Sequence, residues 1–337
     1  MPTASRSAFR PDLALVAAAL ALGACSTDAP TGSPGASGQI ESFTVTAAAH
    51  QAALGSTHQM IRIFPTIQRR TGISADLVAS ASTIHSPLDL SNQGGSLMRS
   101  GKSWNVFVNC GSGPAACWGS ASLTPTVFLT DLARSRMIHV VDQYFSNGSS
   151  SSFPFFGGGT PSFTASELST DYGFDANTAT IDDVLSIVFA AYQHNGNAGG
   201  YTNIYHIFLP AGTDMCEAPG ICYSPDNFDT FYFCAFHGSV DFGGGRHALF
   251  SVEPYQAVNG CQTHAETRVI DATASTLAHE FFETITDPDG DGWWNTLTGE
   301  EIADLCVSFE NSETMGANTY VVQSMYSNKY HGCADTP

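Results

Sequence analysis

The sequence predicts an α/β or α+β domain: a mixed sheet with packed helices, stapled by disulfides. Three observations point there. Short runs rich in β-branched and aromatic residues alternate with runs of helical spacing, without a strict strand–helix–strand rhythm. The chain has 337 residues, of which 43% are hydrophobic, enough for one large domain with a sizeable core. Nine cysteines are present, a framework expected of an exported chain.

The elements follow in chain order. Ala47 to Leu54 and Met60 to Thr71 have helical character, with Pro65 interrupting the second. Trp104–Asn109 and Pro125–Thr130 read as strands. Leu132–Tyr144 and Ile181–Gln193 carry apolar residues three and four apart and read as helices. Tyr201–Leu209, Phe228–Phe236 and His247–Val252 read as strands. Val269–Ile285 is the clearest helix: Ile270, Ala274, Leu277, Phe281 and Ile285 form one stripe, and Asp287-Pro288 ends it. Residues 101–337 are read as the main domain, and 41–100 as an N-terminal segment that the pattern leaves unassigned. The Ser/Gly-rich stretch from Ser146 to Thr164 is read as a loop, with Phe153, Phe155, Phe156 and Phe163 available to cover a core edge or line a cleft.

The N-terminus carries a different signal. Basic residues precede an apolar run from Leu13 to Leu22, which is too short to span a bilayer. Leu22-Gly23-Ala24-Cys25 looks like the lipobox of bacterial lipoproteins. Residues 1–24 are thus expected to be a lipoprotein signal peptide, Cys25 the lipidated residue, and 25–40 a flexible tether. The expected location is the bacterial cell envelope, facing periplasm or exterior, or the secreted fraction; the lipid would be the only membrane contact. Setting Cys25 aside leaves Cys110, Cys117, Cys216, Cys222, Cys234, Cys261, Cys306 and Cys333. Nearness in sequence suggests pairing them in that order, two by two, although sequence alone cannot fix the pairs.

Charge excludes one class of partner. The net charge is −19, with 12 Lys and Arg against 31 Asp and Glu. Phosphate contacts need a basic face, so nucleic acid is not an expected partner. No Lys or Arg occurs from Met137 to Gly245 or from Val269 to Asn328. A cation is favoured there and an anion is not.

The chemistry concentrates on the Val269–Ile285 helix. His279-Glu280-Phe281-Phe282-Glu283 places His279 and Glu283 one turn apart on one face. This is the layout of the zinc motif H-E-x-x-H with Glu replacing the second His. Imidazole nitrogen and carboxylate oxygen both bind Zn2+ at about 2.0–2.2 Å, so His279 and Glu283 qualify as metal ligands. Glu280, beside the first ligand, is the expected catalytic base for a metal-activated water. One His and two carboxylates neutralise Zn2+, and such a site acidifies its water less than a two-His site. A bare His–Glu pair also occurs as a simple helix-stabilising contact. Glu280 and Glu283 as a glycosidase pair explain less, because metal binding accounts for His279 as well. No G-x-S-x-G elbow, Walker-type loop or dinucleotide fingerprint is present.

Downstream, Glu283-x-x-Thr286-Asp287-Pro288 leads to Gly292-Trp293-Trp294, then Glu301-Ile-Ala-Asp304-Leu-Cys306, then Ser327-Asn328 and Gly332-Cys333. With Cys234-Ala-Phe-His237-Gly238, these motifs resemble a bacterial and fungal group of secreted proteins related to the plant EXORDIUM, or phosphate-induced protein, family. The resemblance covers roughly residues 200–337 and is weaker from about 104. The doubled tryptophan and Asp-rich turn depart from it. It implies a zincin-like active-site helix and leaves the reaction thinly defined. In gluzincin-type peptidases a downstream glutamate is the third ligand, and an aspartate one turn later supports the first His. Glu301 and Asp304 suit those two roles, or Asp304 is itself the ligand; both also suit plain capping acids. His237 is an additional metal or transition-state candidate, or a buried structural His. His206, His264 and His331 are weaker. Asp287, Asp289 and Asp291 match the first half of a calcium loop, without its closing glutamate. The expected function is a zinc metallopeptidase-like protein acting on a protein or peptide substrate. The alternative is a non-catalytic EXORDIUM-like cell-surface protein bound to a cell-envelope component.

Overall fold

The structure is a computed structural model that describes residues 40–69, 86–111, 113–118, 122–145 and 162–337. The signal segment, Cys25, the tether up to residue 39, and Phe153, Phe155 and Phe156 lie outside the described residues. Alternating β-branched and aromatic residues build a sheet of seven strands. They are β1 (Glu41–Ser42), β2 (Thr57–Pro65), β3 (Gly101–Val108), β4 (Phe163–Thr170), β5 (Asn203–Phe208), β6 (Phe233–Asp241) and β7 (His247–Glu253). Their order is β1-β4-β3-β5-β7-β6-β2. From β1 to β7 neighbours run parallel; β6 is antiparallel to both β7 and β2. The sheet is therefore mixed, as expected.

Among the described residues, four helices of eight residues or more cover it: α1 (Ala47–Leu54), α2 (Pro125–Leu132), α3 (Ile181–His194) and α4 (Val269–Thr286). Helices α1 and α3 lie on one face, over Val106, Val108, Leu168, Tyr205, Ile207, Phe250 and Val252. Helices α2 and α4 and the 3-10 turn Met137–Phe145 lie on the other, over Phe107, Ile204, Phe208 and Leu249. A hairpin of β8 (Glu310–Met315) and β9 (Asn318–Gln323) packs on the outer side of α4. All four expected disulfides form: Cys110–Cys117, Cys216–Cys222, Cys234–Cys261 and Cys306–Cys333. Disulfides persist in oxidising compartments, which fits an exported chain. Among the described residues no helix is long and apolar enough to cross a membrane.

Several elements differ from expectation. Pro125–Thr130 is helical, because Thr124 caps the backbone N–H of Val127 at 3.3 Å and Pro125 opens the first turn. Leu132–Tyr144 is not one helix: α2 ends at Leu132, tight i to i+3 bonds follow, and a 3-10 turn begins at Met137. Met60–Pro65 is strand, since pairing with β6 overrides helical character, and Pro65 closes this edge strand. The strand expected over Phe228–Phe236 starts at Phe233, after a turn at Asn227 that leaves Phe228 exposed. The segment from residue 41 supplies two strands to the sheet, so Ile40–Pro337 form one compact unit.

Candidate metal centre

Helix α4 is buried along its whole length, from Ile270 to Thr286. The carboxylate of Asp271 anchors its N-terminus, accepting from the backbone N–H groups of Arg268 at 3.3 Å and Val321 at 3.1 Å. Its C-terminus stops where the Asp287 N–H donates to the Glu283 carbonyl at 2.6 Å, ahead of Pro288. A helix buried all round is normally apolar all round. This one buries His279, Glu280 and Glu283 with no exposure at all.

Five side chains from three places converge. His279 Nε2 lies 3.1 Å from Glu283 Oε1 and 3.7 Å from Asp304 Oδ1. His237 Nε2, from β6, lies 3.6 Å from Glu283 Oε2 and 3.4 Å from Glu301 Oε2. The loop 301–304 is tied to the helix, because the Asp304 N–H donates to Glu283 Oε1 at 3.2 Å. It is also tied to itself, through the Glu301 N–H and Asp304 Oδ2 at 3.2 Å. Glu301 and Asp304 thus stand together beside Glu283. Two ligand sets have all their donor atoms within 4.8 Å of one another: His279, Glu283 and Asp304, and His237, Glu280 and Glu283.

The donor set of the site could hold a cation. Gln323, on β9, donates its amide to the Ala303 carbonyl at 2.7 Å, which leaves its Oε1 facing His279 Nδ1 at 3.3 Å. Oε1 only accepts, so Nδ1 carries the hydrogen in the neutral ring. The Nε2 lone pair then faces carboxylate oxygens, an arrangement that a proton or a metal ion satisfies. Burial, and then the neighbouring His279, hold the His237 imidazole down at about 3, in its neutral, ligand-competent form. Glu280 is pushed well above the usual carboxylate range by burial first, then by Glu283, Glu253 and Asp304. Neither of its oxygens has a hydrogen-bond partner. Imidazole nitrogens and carboxylate oxygens of this kind can hold a divalent metal ion.

Sequence reasoning missed part of this environment. Ser251 donates to Glu253 Oε1 at 2.8 Å; His206 joins Ser251 through Nδ1 at 2.7 Å and Ser103 through Nε2 at 3.2 Å. Burial pushes Glu253 up to about 8 and His206 down to about 3. The alternation Leu249, Ser251, Glu253 along β7 was the available signal, since it places two polar residues on the α4 face. His331 lies elsewhere, 2.9 Å from Asp89. Phe163 opens β4 and packs edge-on against Phe281.

Among the described residues the three aspartates of the calcium-like turn do not form one of the clusters that could hold an ion. Asp287 turns inward and accepts from the Gly292 N–H at 2.6 Å, while burial pushes its carboxyl up to about 7. A side chain at 292 would strike the Thr286 carbonyl, so glycine permits this turn. Asp289 points the other way, to His247 Nε2 at 3.0 Å and the Tyr201 hydroxyl at 2.5 Å. The Asp291 carbonyl accepts from Gly95.

No protein-family model, curated protein or solved structure matches the chain.

Proposed function

We infer that the protein is a zinc-dependent hydrolase of metallopeptidase type, exported and lipid-anchored through Cys25 in the cell envelope, with EXORDIUM-like affinity. One observation carries the reading. Glu280 is fully buried and unpartnered in both oxygens, immediately after one ligand candidate and one turn before another. Leaving a buried carboxylate in that state costs several kcal/mol, of order 1–3 for each unmet polar group and more when charged. An ion held by His279, Glu283 and Asp304 alone has no need of it. His279, Glu283 and Asp304 would hold the metal, with His237 and Glu301 beside them.

Bound zinc would supply Lewis acidity and a water of lowered pKa. The chain's own groups do the rest. Glu280 takes a proton from the attacking water on a carboxylate oxygen and returns it to a leaving amine; burial raises its proton affinity, which suits that exchange. Gln323 fixes the His279 ring by its Nδ1 contact. Phe64 packs on the same ring at 4.4 Å between centroids.

The rival reading, a non-catalytic cell-surface protein with a structural ion, draws on one feature. Of the converging side chains only Asp304 shows appreciable exposure, 8%. Closed shells are the mark of structural sites. Metal analysis of the purified protein beside Glu283→Ala tests the ion. Peptide-library cleavage by wild type and Glu280→Gln tests the chemistry. The expected result is bound zinc in the wild type, lost in Glu283→Ala, with cleavage lost in Glu280→Gln. No bound metal after zinc is added back rejects the hydrolase; bound metal without cleavage of any peptide selects the rival.

A further inference from the structure

We propose that the centre has two overlapping divalent-cation positions sharing Glu283, the second formed by His237, Glu280 and the far oxygen of Glu283. The two ligand sets each have donor atoms within 4.8 Å of one another and have only Glu283 in common. Donors bonded to one ion at about 2.0–2.2 Å lie no more than about 4.4 Å apart, so each set needs only a small contraction to close.

Glu283 is turned as a bridge. Its Oε1 addresses His279 at 3.1 Å and its Oε2 addresses His237 at 3.6 Å. One carboxylate oxygen for each of two imidazoles is the arrangement that links ions about 3.5–4 Å apart. Glu280 supplies the independent pointer. Its oxygens are buried, make no hydrogen bond, and belong to the second set. His237 offers Nε2 to that set.

Charge balance agrees. Glu280, Glu283, Glu301 and Asp304 bring four carboxylates into one buried place, and the stretch Val269–Asn328 that supplies them holds no Lys or Arg. One divalent ion offsets half of that charge; two offset all of it. The positions differ in consequence. The first, at His279, Glu283 and Asp304, leaves Glu280 available to take a proton. Filling the second uses Glu280 as a ligand. If the hydrolase reading above holds, activity therefore peaks near one equivalent of zinc and falls as the second ion binds.

Equilibrium dialysis of the metal-stripped protein against zinc, read by elemental analysis, tests the proposal without any substrate. The expected stoichiometry is about two ions in the wild type, about one in His237→Ala and in Glu280→Gln, and none in Glu283→Ala. Near-ultraviolet circular dichroism checks that each variant is folded. A wild type that saturates at one ion overturns the second position and leaves the hydrolase reading standing. Two ions retained in folded Glu280→Gln also overturn it, since the second would then lie elsewhere. No ion in the wild type overturns both.

Discussion

The two faces of the central sheet are built from different chemistry. Under α1 and α3 the strands present Val106, Val108, Tyr205, Ile207, Phe250 and Val252, and the helices answer with Val184, Leu185, Val188 and Ala191. Under α4 the same strands present Ser103, Asn105, His206, Ser251 and Glu253 among the apolar residues, and all are buried. The first face stabilises by removing apolar area from water, about 25 cal/mol per Å2. The second spends stability, because buried polar groups at best break even. The chain therefore keeps one face to hold the fold and tolerates a costly one where the carboxylates and imidazoles gather. Such a conflict between local rules and global fold is expected at a functional site.

The comparison breaks most sharply on the apolar face. Val188→Asp places an unpaired charge among fully buried side chains and is expected to cost more than about 4 kcal/mol, abolishing the cooperative urea transition. Glu253→Gln, on the other face, keeps it. Next in size are the two long disulfides. Cys234–Cys261 belongs to the apolar face and Cys306–Cys333 to the α4 face, and each spans 27 residues. Loop entropy is then equal, and replacing either pair by alanine is expected to cost about 3.5 kcal/mol in urea unfolding. Loss of Cys306–Cys333 should weaken zinc uptake at the His279, Glu283 and Asp304 position by about tenfold or more, since Asp304 sits two residues from Cys306.

A smaller effect is the pH profile of the metal-stripped protein. Glu253 rises from 4.5 to about 8 on folding, so its contribution is present below pH 4.5 and is lost as pH climbs through 8. His206 falls from 6.5 to about 3, so its contribution is present above pH 6.5 and is lost as pH falls through 3. Each shift is worth at most about 1.4 kcal/mol per pH unit of its window. Thermal melts of Glu253→Gln should show a shallower loss on the alkaline side, and those of His206→Gln a shallower loss on the acid side. A parallel profile in all three proteins would mean that the polar face carries no such cost. The smallest effect is Glu280→Gln. Burial raises the proton affinity of Glu280, and an isosteric amide should shift stability by less than about 1 kcal/mol while hydrolysis disappears.

Much of this was legible beforehand, for reasons that particular residues make plain. Helix α4 showed itself through Ile270, Ala274, Leu277, Phe281 and Ile285, because helical periodicity is local. The disulfides were legible because the partners are near in sequence and short loops close readily. Pro125–Thr130 misled because Thr-Val-Phe is β-rich in composition, while the decisive signal was the cap at Thr124 followed by proline. Met60–Pro65 misled because its partner, β6, lies far along the chain, and strand pairing is not local.

Local pattern alone set the class of fold, helix α4 and the placement of His279, Glu280 and Glu283 along it, and it suggested the disulfide pairs by nearness. Those follow from side-chain periodicity and chain proximity, which a linear string carries. Only the tertiary structure decided that His237 from β6 meets Glu283 and Glu301. It also decided that Gln323 orients His279 from the opposite side, and that Glu253 and His206 line the same buried face. These contacts join positions 44 to 64 residues apart, and no local preference encodes them. They arise because the sheet brings β5, β6 and β7 side by side and α4 is laid across them, trapping polar groups where water cannot satisfy them.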